Sequence, residues 1–277
     1  MTREELHSKL DKMVWSFTRI SSFAECPKRF YATYIEHAER HDNALAQWGT
    51  LMHELIEENV NGLLPTDKLT AAYKKRFKRE ITEPFPVDFR GNDMKGKYYN
   101  DGLGFFFYYT GVPDEYEVLG AEIEVKTDIG RYKFIGYIDL LLRKRDTGEL
   151  ILIDHKSKNG FKSKREQAEY ARQLYLYAKY VGENFGRFPS LLVFNLIRKN
   201  TAVQIPFSQD DMQAAVNWAV STIDSIYEAD ADNFMCKLEL SARRKEMNAK
   251  YDKPDYFCLN ICDQRDTCEA TCITTYE

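Results

Sequence analysis

Apolar positions recur at two periods along the chain, and the change near residue 116 divides it. Upstream the spacing is helical. Residues 18–36 (TRISSFAECPKRFYATYIE) predict a helix opened by Thr18 or Ser21, with Pro27 as an interruption inside it. In GTLMHELIEENVNGLL, the residues Leu51, Met52, Leu55, Ile56 and Val60 fall at helical spacing, and Gly62 and Pro65 end the run. A helix near 67–80 follows. The segment GLGFFFYYT is too short to cross a bilayer and reads as core.

Downstream the period becomes two. EVLGAEIEVKT alternates, DIG turns the chain, RYKFIGYIDLLLRK runs back, RDTGE turns it again, and LILIDHKS follows. This predicts a three-stranded antiparallel meander. A polar stretch, KSKNGFKSKRE, leads into a helix near 165–182. Two more strands (SLLVFNLIRK, TAVQIPF), a helix near 209–228 and a cysteine-bearing tail complete the chain. The pattern is α/β: a mixed central sheet flanked by helices, with a helical N-terminal lobe. The expected organisation is one domain over 1–277. Its parts are helical (14–115), sheet-bearing (116–230) and cysteine-bearing (231–277).

The second hairpin carries candidate chemistry. A two-residue loop centred on Asp146 and Thr147 places Asp139 opposite Asp154, with Cβ atoms about 5 Å apart. Lys156, two residues beyond Asp154, projects from the same face. A bulge at Gly148 would shift the pairing by one. Two carboxylates so close repel each other unless a divalent cation binds both. The plainer reading is a surface ion pair between Asp154 and Lys156. Against it, both acids interrupt strongly apolar runs, GYI-Asp139-LLL and LILI-Asp154-H. Glu122 and Glu124 share a strand with Lys126 and read as a solvated face. The run Lys156, Lys158, Lys162, Lys164 and Arg165 is either a solvated linker or a phosphate contact.

Composition changes this picture little. The chain has 277 residues, 44% of them hydrophobic, which suits a folded domain. A formal charge of -4 disfavours a protein that merely coats DNA. Aromatic residues reach 14%, enough both to fill a core and to stack on unpaired bases. No run of about 18 apolar residues exists, so no membrane span is expected. The N-terminus, MTREELHSKLDKM, lacks the apolar core of a signal peptide. A cytoplasmic location follows, in a bacterium or a phage-infected host cell. There, six cysteines point to metal rather than to disulfides.

GYIDLLL followed by LIDHKSK resembles the G-x-x-D and D-x-K motifs of RecB-type nucleases of the PD-(D/E)XK superfamily. GTLMHELIE resembles the family's G-x-x-x-H helix, here Gly49 to His53. RQLYLYAKY is similar to its Q-x-x-x-Y, here Gln173 and Tyr177. CPKRFYATYI resembles the segment holding the first cluster cysteine in iron–sulfur members, such as the AddB nuclease and the CRISPR-associated exonuclease family. Each motif alone is weak; five in family order over residues 21–268 are specific.

The resemblance implies a phosphodiester hydrolase. Asp139, Asp154 and His53 would be ligands of Mg²⁺ or Mn²⁺, with the main-chain carbonyl of His155 as another. Lys156 would hold the attacking water and stabilise charge on the phosphate. Gln173 and Tyr177, one helical turn apart, would support Lys156 or the substrate. Independently of the resemblance, an oxygen-rich site suits these ions, and one imidazole shifts preference toward Mn²⁺. The family plan also implies a [4Fe–4S] cluster on Cys26, Cys258, Cys262 and Cys268. Two departures stand against that plan: the Cys258–Cys262 gap is three residues rather than two, and Cys272 is surplus. The tail alone, C-x₃-C-x₅-C-x₃-C, could hold Zn²⁺ instead. Cys236 reads as an idle thiol.

The expected substrate is DNA, single-stranded or with free ends. The setting is recombination, repair, phage DNA metabolism or CRISPR spacer processing. The chain has no Walker motif, so a helicase or recombination protein would be a separate partner. Two rivals remain: a catalytically silent DNA-binding scaffold subunit and a sequence-specific restriction-type endonuclease.

Overall fold

The computed structural model of the chain describes residues 1–88, 90–229 and 256–268. Cys236 and Cys272 lie outside them. The backbone divides into two compact units. One comprises Met1–Asn43, Asp128–Phe134 and Trp218–Glu277; the other comprises Ala44–Thr127 and Ile135–Asn217.

In the first unit, α1 (Arg3–Leu10) starts at a capping box between Thr2 and Glu5. The helix expected over 18–36 is broken. α2 (Phe17–Glu25) ends at Cys26, whose backbone is extended (φ -153°, ψ 97°), and α3 (Pro27–Phe30) starts anew. Pro27 occupies the first helical position, where its missing N–H costs nothing. Cys26 Sγ caps α3, accepting from Arg29 N at 3.4 Å. A π-turn over Tyr31–Ile35 follows. Trp15, Phe30 and Phe134 are buried together, with Trp15 and Phe30 stacked at 6.2 Å.

The short helix α9 (Tyr256–Asn260) and the turn after it lie against residues 29–43. Asp263 accepts from Arg29 at 2.7 Å and from Arg40 at 2.9 Å, and its carbonyl accepts from His41 N at 3.0 Å. Asn43 donates to the Ile261 carbonyl at 3.1 Å. This joins segments more than two hundred residues apart in sequence.

The second unit holds α4 (Ala44–Val60), α5 (Leu69–Glu80) and α6 (Met94–Tyr108). Their shared core is aromatic: Trp48 Nε1 donates to the Tyr73 hydroxyl at 2.9 Å, amid Phe77, Tyr98 and Phe106. The GLGFFFYYT run is only half core. Phe105 and Phe106 are buried, but Phe107 and Tyr108 at the end of α6 are exposed.

The sheet has the order β1-β2-β3-β4-β5, comprising Tyr116–Ile129, Tyr132–Lys144, Leu150–Lys156, Leu191–Leu196 and Thr201–Pro206. β2 and β3 are antiparallel, β3 and β4 parallel, and β4 and β5 antiparallel, so the sheet is mixed as expected. The parallel pair needs a crossover, and α7 (Lys164–Phe185) supplies it. α8 (Gln209–Glu228) follows the sheet.

The β2–β3 register pairs Leu140 with Ile153 and Leu142 with Ile151, as the sequence predicts. The loop itself differs. Lys144 N donates to the Glu149 carbonyl, so the loop runs over four residues, Arg145–Gly148, with Gly148 left-handed at φ +69°. A four-residue loop centred where the two-residue loop was expected leaves the pairing unchanged.

Candidate active site

The end of β3 carries the expected acid and lysine. Asp154 is buried, only 3% exposed, and burial pushes its carboxyl up, with nearby Asp139 adding to the effect and Lys156 opposing it. Lys156 Nζ lies 2.8 Å from Asp154 Oδ2 and donates to Oδ1 at 3.0 Å. The ion pair of the plainer reading exists, but it is interior rather than on the surface. Lys156 also donates to Gln173 Oε1 at 2.9 Å. Gln173 Nε2 in turn donates to the Tyr177 hydroxyl at 3.1 Å. Burial pushes the Tyr177 hydroxyl up to about 12, so it stays neutral.

Two glycines of the candidate motifs have packing reasons. A Cβ on Gly136 would stand 2.5 Å from the Tyr177 ring, so the tyrosine of one motif lies directly over the glycine of another. Gly136→Ala should displace that ring and cost about 1–3 kcal/mol of stability by overpacking, read as a drop in denaturation midpoint. An unchanged midpoint would mean that the ring has room to move. On α4, Gly49 faces the Ser157 side chain, with 3.4 Å from a would-be Cβ to Oγ. This close approach brings His53, one turn later, to β3. Its ring meets that of His155 edge-on, with centroids 5.7 Å apart, and its Nδ1 is 3.6 Å from Asp139 Oδ2.

His155 enters the site through its amide and its ring as well as the backbone carbonyl considered from sequence. Its N–H donates to Asp139 Oδ2 at 2.6 Å. Its ring is buried and held neutral, its pKa pushed down to about 3 by burial and by His53. Asn195, its register partner on β4, bonds to Nδ1 at 2.9 Å.

Glu122 corrects the sequence reading, which placed it on a solvated face with Glu124. Only Glu124 pairs with Lys126, at 2.7 Å. Glu122 has φ +50°, a left-handed conformation inside β1 that breaks strand alternation. Its carboxylate joins His53 and Asp139. One ligand atom from each of the three lies within 4.8 Å of the others. Among the described residues no other histidine, cysteine and acid group is gathered so closely. Partial burial, then Asp139, pushes the Glu122 carboxyl up to about 7, with Glu57 and Asp154 adding to it. Asp154 Oδ2 is buried without a hydrogen bond of good geometry. Crowded oxygens and one imidazole are a donor set that fits a divalent cation.

A sequence model of the PD-(D/E)XK nuclease superfamily matches residues 14–269. The chain belongs to that superfamily. Membership implies metal-dependent nuclease activity, and so a phosphodiester hydrolase acting on DNA. No match exists among curated proteins. Among solved structures, the crystal structure of SSO0001 is 16% identical with a TM-score of 0.39. The similarity covers 97% of this chain and 94% of that one. In this PD-(D/E)XK chain the G-x-x-D strand and the D-x-K strand are neighbours, and both converge on His53.

The basic run beyond Lys156 is partly engaged. Lys158 pairs with Glu166 at 2.8 Å and lies 3.9 Å from the centre of the Tyr170 ring. Lys162, Lys164 and Arg165 are exposed. No helix among the described residues is long and apolar enough to cross a membrane.

Proposed function

We propose that this nuclease is an exonuclease on single-stranded or end-bearing DNA, with its reaction centre at His53, Glu122, Asp139, Asp154 and Lys156. The observation that carries the reaction centre is the gathering of His53, Glu122 and Asp139 beside the buried Asp154–Lys156 pair; the exonuclease form is what the RecB-type resemblance implies. His53, Asp139, Asp154 and the main-chain carbonyl of His155 would hold Mg²⁺ or Mn²⁺, with Glu122 as a further ligand. The cation supplies charge neutralisation at the phosphate and a lowered pKa for water. Lys156 holds the attacking water and faces the charge that grows on the phosphate. Gln173 fixes the Lys156 ammonium, and Tyr177 fixes Gln173. The His155 amide holds the Asp139 carboxylate.

Digestion of end-labelled linear strands and of a closed circle, with Mg²⁺, Mn²⁺ or EDTA, tests this. Stepwise shortening of linear DNA, abolished by EDTA, is expected. Cutting of the circle at defined sites would favour a restriction-type endonuclease, and cation-independent binding without cleavage a scaffold subunit.

Glu122 gives a pH test. Its folded pKa is raised, so the stability it contributes is present below about 4.5 and is lost as pH rises through about 7. Cation binding needs the ionised form, so affinity should weaken below about pH 7. By calorimetric titration, Mn²⁺ should bind wild type more weakly at pH 6 than at pH 8. Glu122→Gln should lose much of that slope and bind at least about tenfold more weakly at pH 8. Equal slopes and affinities would remove Glu122 from the ligand set.

Cys26, Cys258, Cys262 and Cys268 would hold a [4Fe–4S] cluster. None of the four is in a disulfide, and the first three are buried. Burial pushes the Cys262 thiol up, and Cys26 is near enough to add to the effect. The cluster would staple the two segments that Asp263 already joins. The zinc alternative depends on Cys272. A helicase or recombination protein would supply DNA unwinding.

A further inference from the structure

Beside the cation ligands lies a cavity of about 460 Å³, walled by His53, Glu54, Glu57, Glu122 and Tyr137. That volume falls within the usual range for a small-molecule subsite. Tyr137 is two residues before Asp139 on β2, so alternation turns both side chains to one face, while Gly136 and Ile138 are buried on the other. The ring is 49% exposed, unlike the buried Tyr73, Tyr98 and Tyr177. The backbone at Tyr137 is bonded to the Tyr177 hydroxyl, so the ring stands on a fixed strand.

The wall chemistry says what the cavity takes. Glu54, Glu57 and Glu122 line it; Glu54 is paired with Arg76 and Glu122 would be taken by the cation, which leaves Glu57 as the acceptor for a guest. An aromatic face beside a carboxylate acceptor suits a flat, neutral group that carries N–H donors. A nucleobase is such a group. A paired base has its hydrogen-bonding edge engaged and, inside a duplex, both faces stacked, so only an unpaired base can enter.

We propose that this cavity is a nucleobase subsite, in which an unpaired base next to the scissile phosphate stacks on Tyr137 with its N–H groups toward Glu57. The inference rests on the nuclease reading above and adds the group that discriminates unpaired from paired DNA.

The test uses the full chain carrying Lys156→Met, so that oligonucleotides stay uncut with Mg²⁺ present. The probes are a single strand bearing 2-aminopurine near one end and a blunt hairpin duplex. With Tyr137 or Tyr137→Phe, 2-aminopurine fluorescence should be quenched on binding. With Tyr137→Ala the quench should vanish. The single-strand Kd should rise about tenfold or more, while the duplex Kd stays within about twofold. The half-exposed ring makes all three variants equally foldable, which their melting temperatures check. An unchanged single-strand Kd, an equal loss on both probes, or a quench that survives Tyr137→Ala would overturn the subsite. Cleavage of the same oligonucleotides by wild type is read separately. Its absence would sink the nuclease reading without touching the binding result.

Discussion

Lys156→Met should lower cleavage of a labelled strand by about a thousandfold or more, the scale set by losing one charge-stabilising donor from a reaction centre. The side chain keeps its length and loses its charge. Three consequences follow from the contacts. Asp154, only 3% exposed, loses its cationic partner, and breaking a buried pair costs about 3–5 kcal/mol. Gln173 loses its donor, and its amide is free to turn away from Tyr177. The Asp154 carboxyl, already pushed up by burial, can take a proton instead and recover part of the loss. Without a cation the variant should therefore melt lower than wild type, and Mg²⁺ should restore much of the difference. The double variant Lys156→Met, Asp154→Asn should melt higher than the single one, because no buried charge is left unpaired. Near-normal turnover by pure Lys156→Met protein would remove Lys156 from the reaction. A double variant no more stable than the single would show that Asp154 is not the group left stranded.

The β2–β3 hairpin was legible because strand pairing depends on where a loop is centred. The four-residue loop was not foreseen, yet it shares a centre with the two-residue one, so Leu140 still meets Ile153. The α4 helix was legible from its apolar spacing, whereas His53 was singled out only by the family motif. Gly136 and Tyr177 were legible only as members of two motifs. Their contact is tertiary, since a Cβ at 136 would collide with a ring on α7.

What stayed hidden has a common cause, which is local backbone that departs from the regular period. Glu122 was assigned to the wrong surroundings because alternation was carried through a left-handed residue, and nothing in AEIEV marks one. The break at Cys26 was hidden for a related reason. Pro27 can kink a helix or begin one, and the cap provided by Cys26 decides for the second. The His155 amide could not be found at all, because main-chain donors carry no side-chain signature. The segment GLGFFFYYT was read as core, whereas a helix end turns Phe107 and Tyr108 outward.

Cys26→Ser should have the other large effect, on stability rather than chemistry. Protein purified without oxygen should be brown, absorb broadly near ~400 nm and carry about four irons per chain, as four thiolates on one cluster require. The serine variant should be colourless. In the first unit, Tyr256–Cys268 is fastened to residues 29–43 by Asp263 and a few main-chain bonds. The Arg40–Asp263 pair is surface-accessible and therefore weak by itself. A cluster linking Cys26 to Cys258, Cys262 and Cys268 would close a loop of more than two hundred residues. In the chain-entropy picture a covalent closure of that length is worth about 5 kcal/mol. The denaturation midpoint of Cys26→Ser should fall accordingly. Cleavage by the molecules that remain folded should persist, because hydrolysis of a phosphodiester needs no electron transfer. Cys272→Ala should keep both colour and midpoint. A single zinc in the tail predicts instead a colourless wild type, one zinc per chain, an unchanged midpoint on Cys26→Ser and collapse on Cys272→Ala. Metal analysis of wild type with these two variants separates the two arrangements.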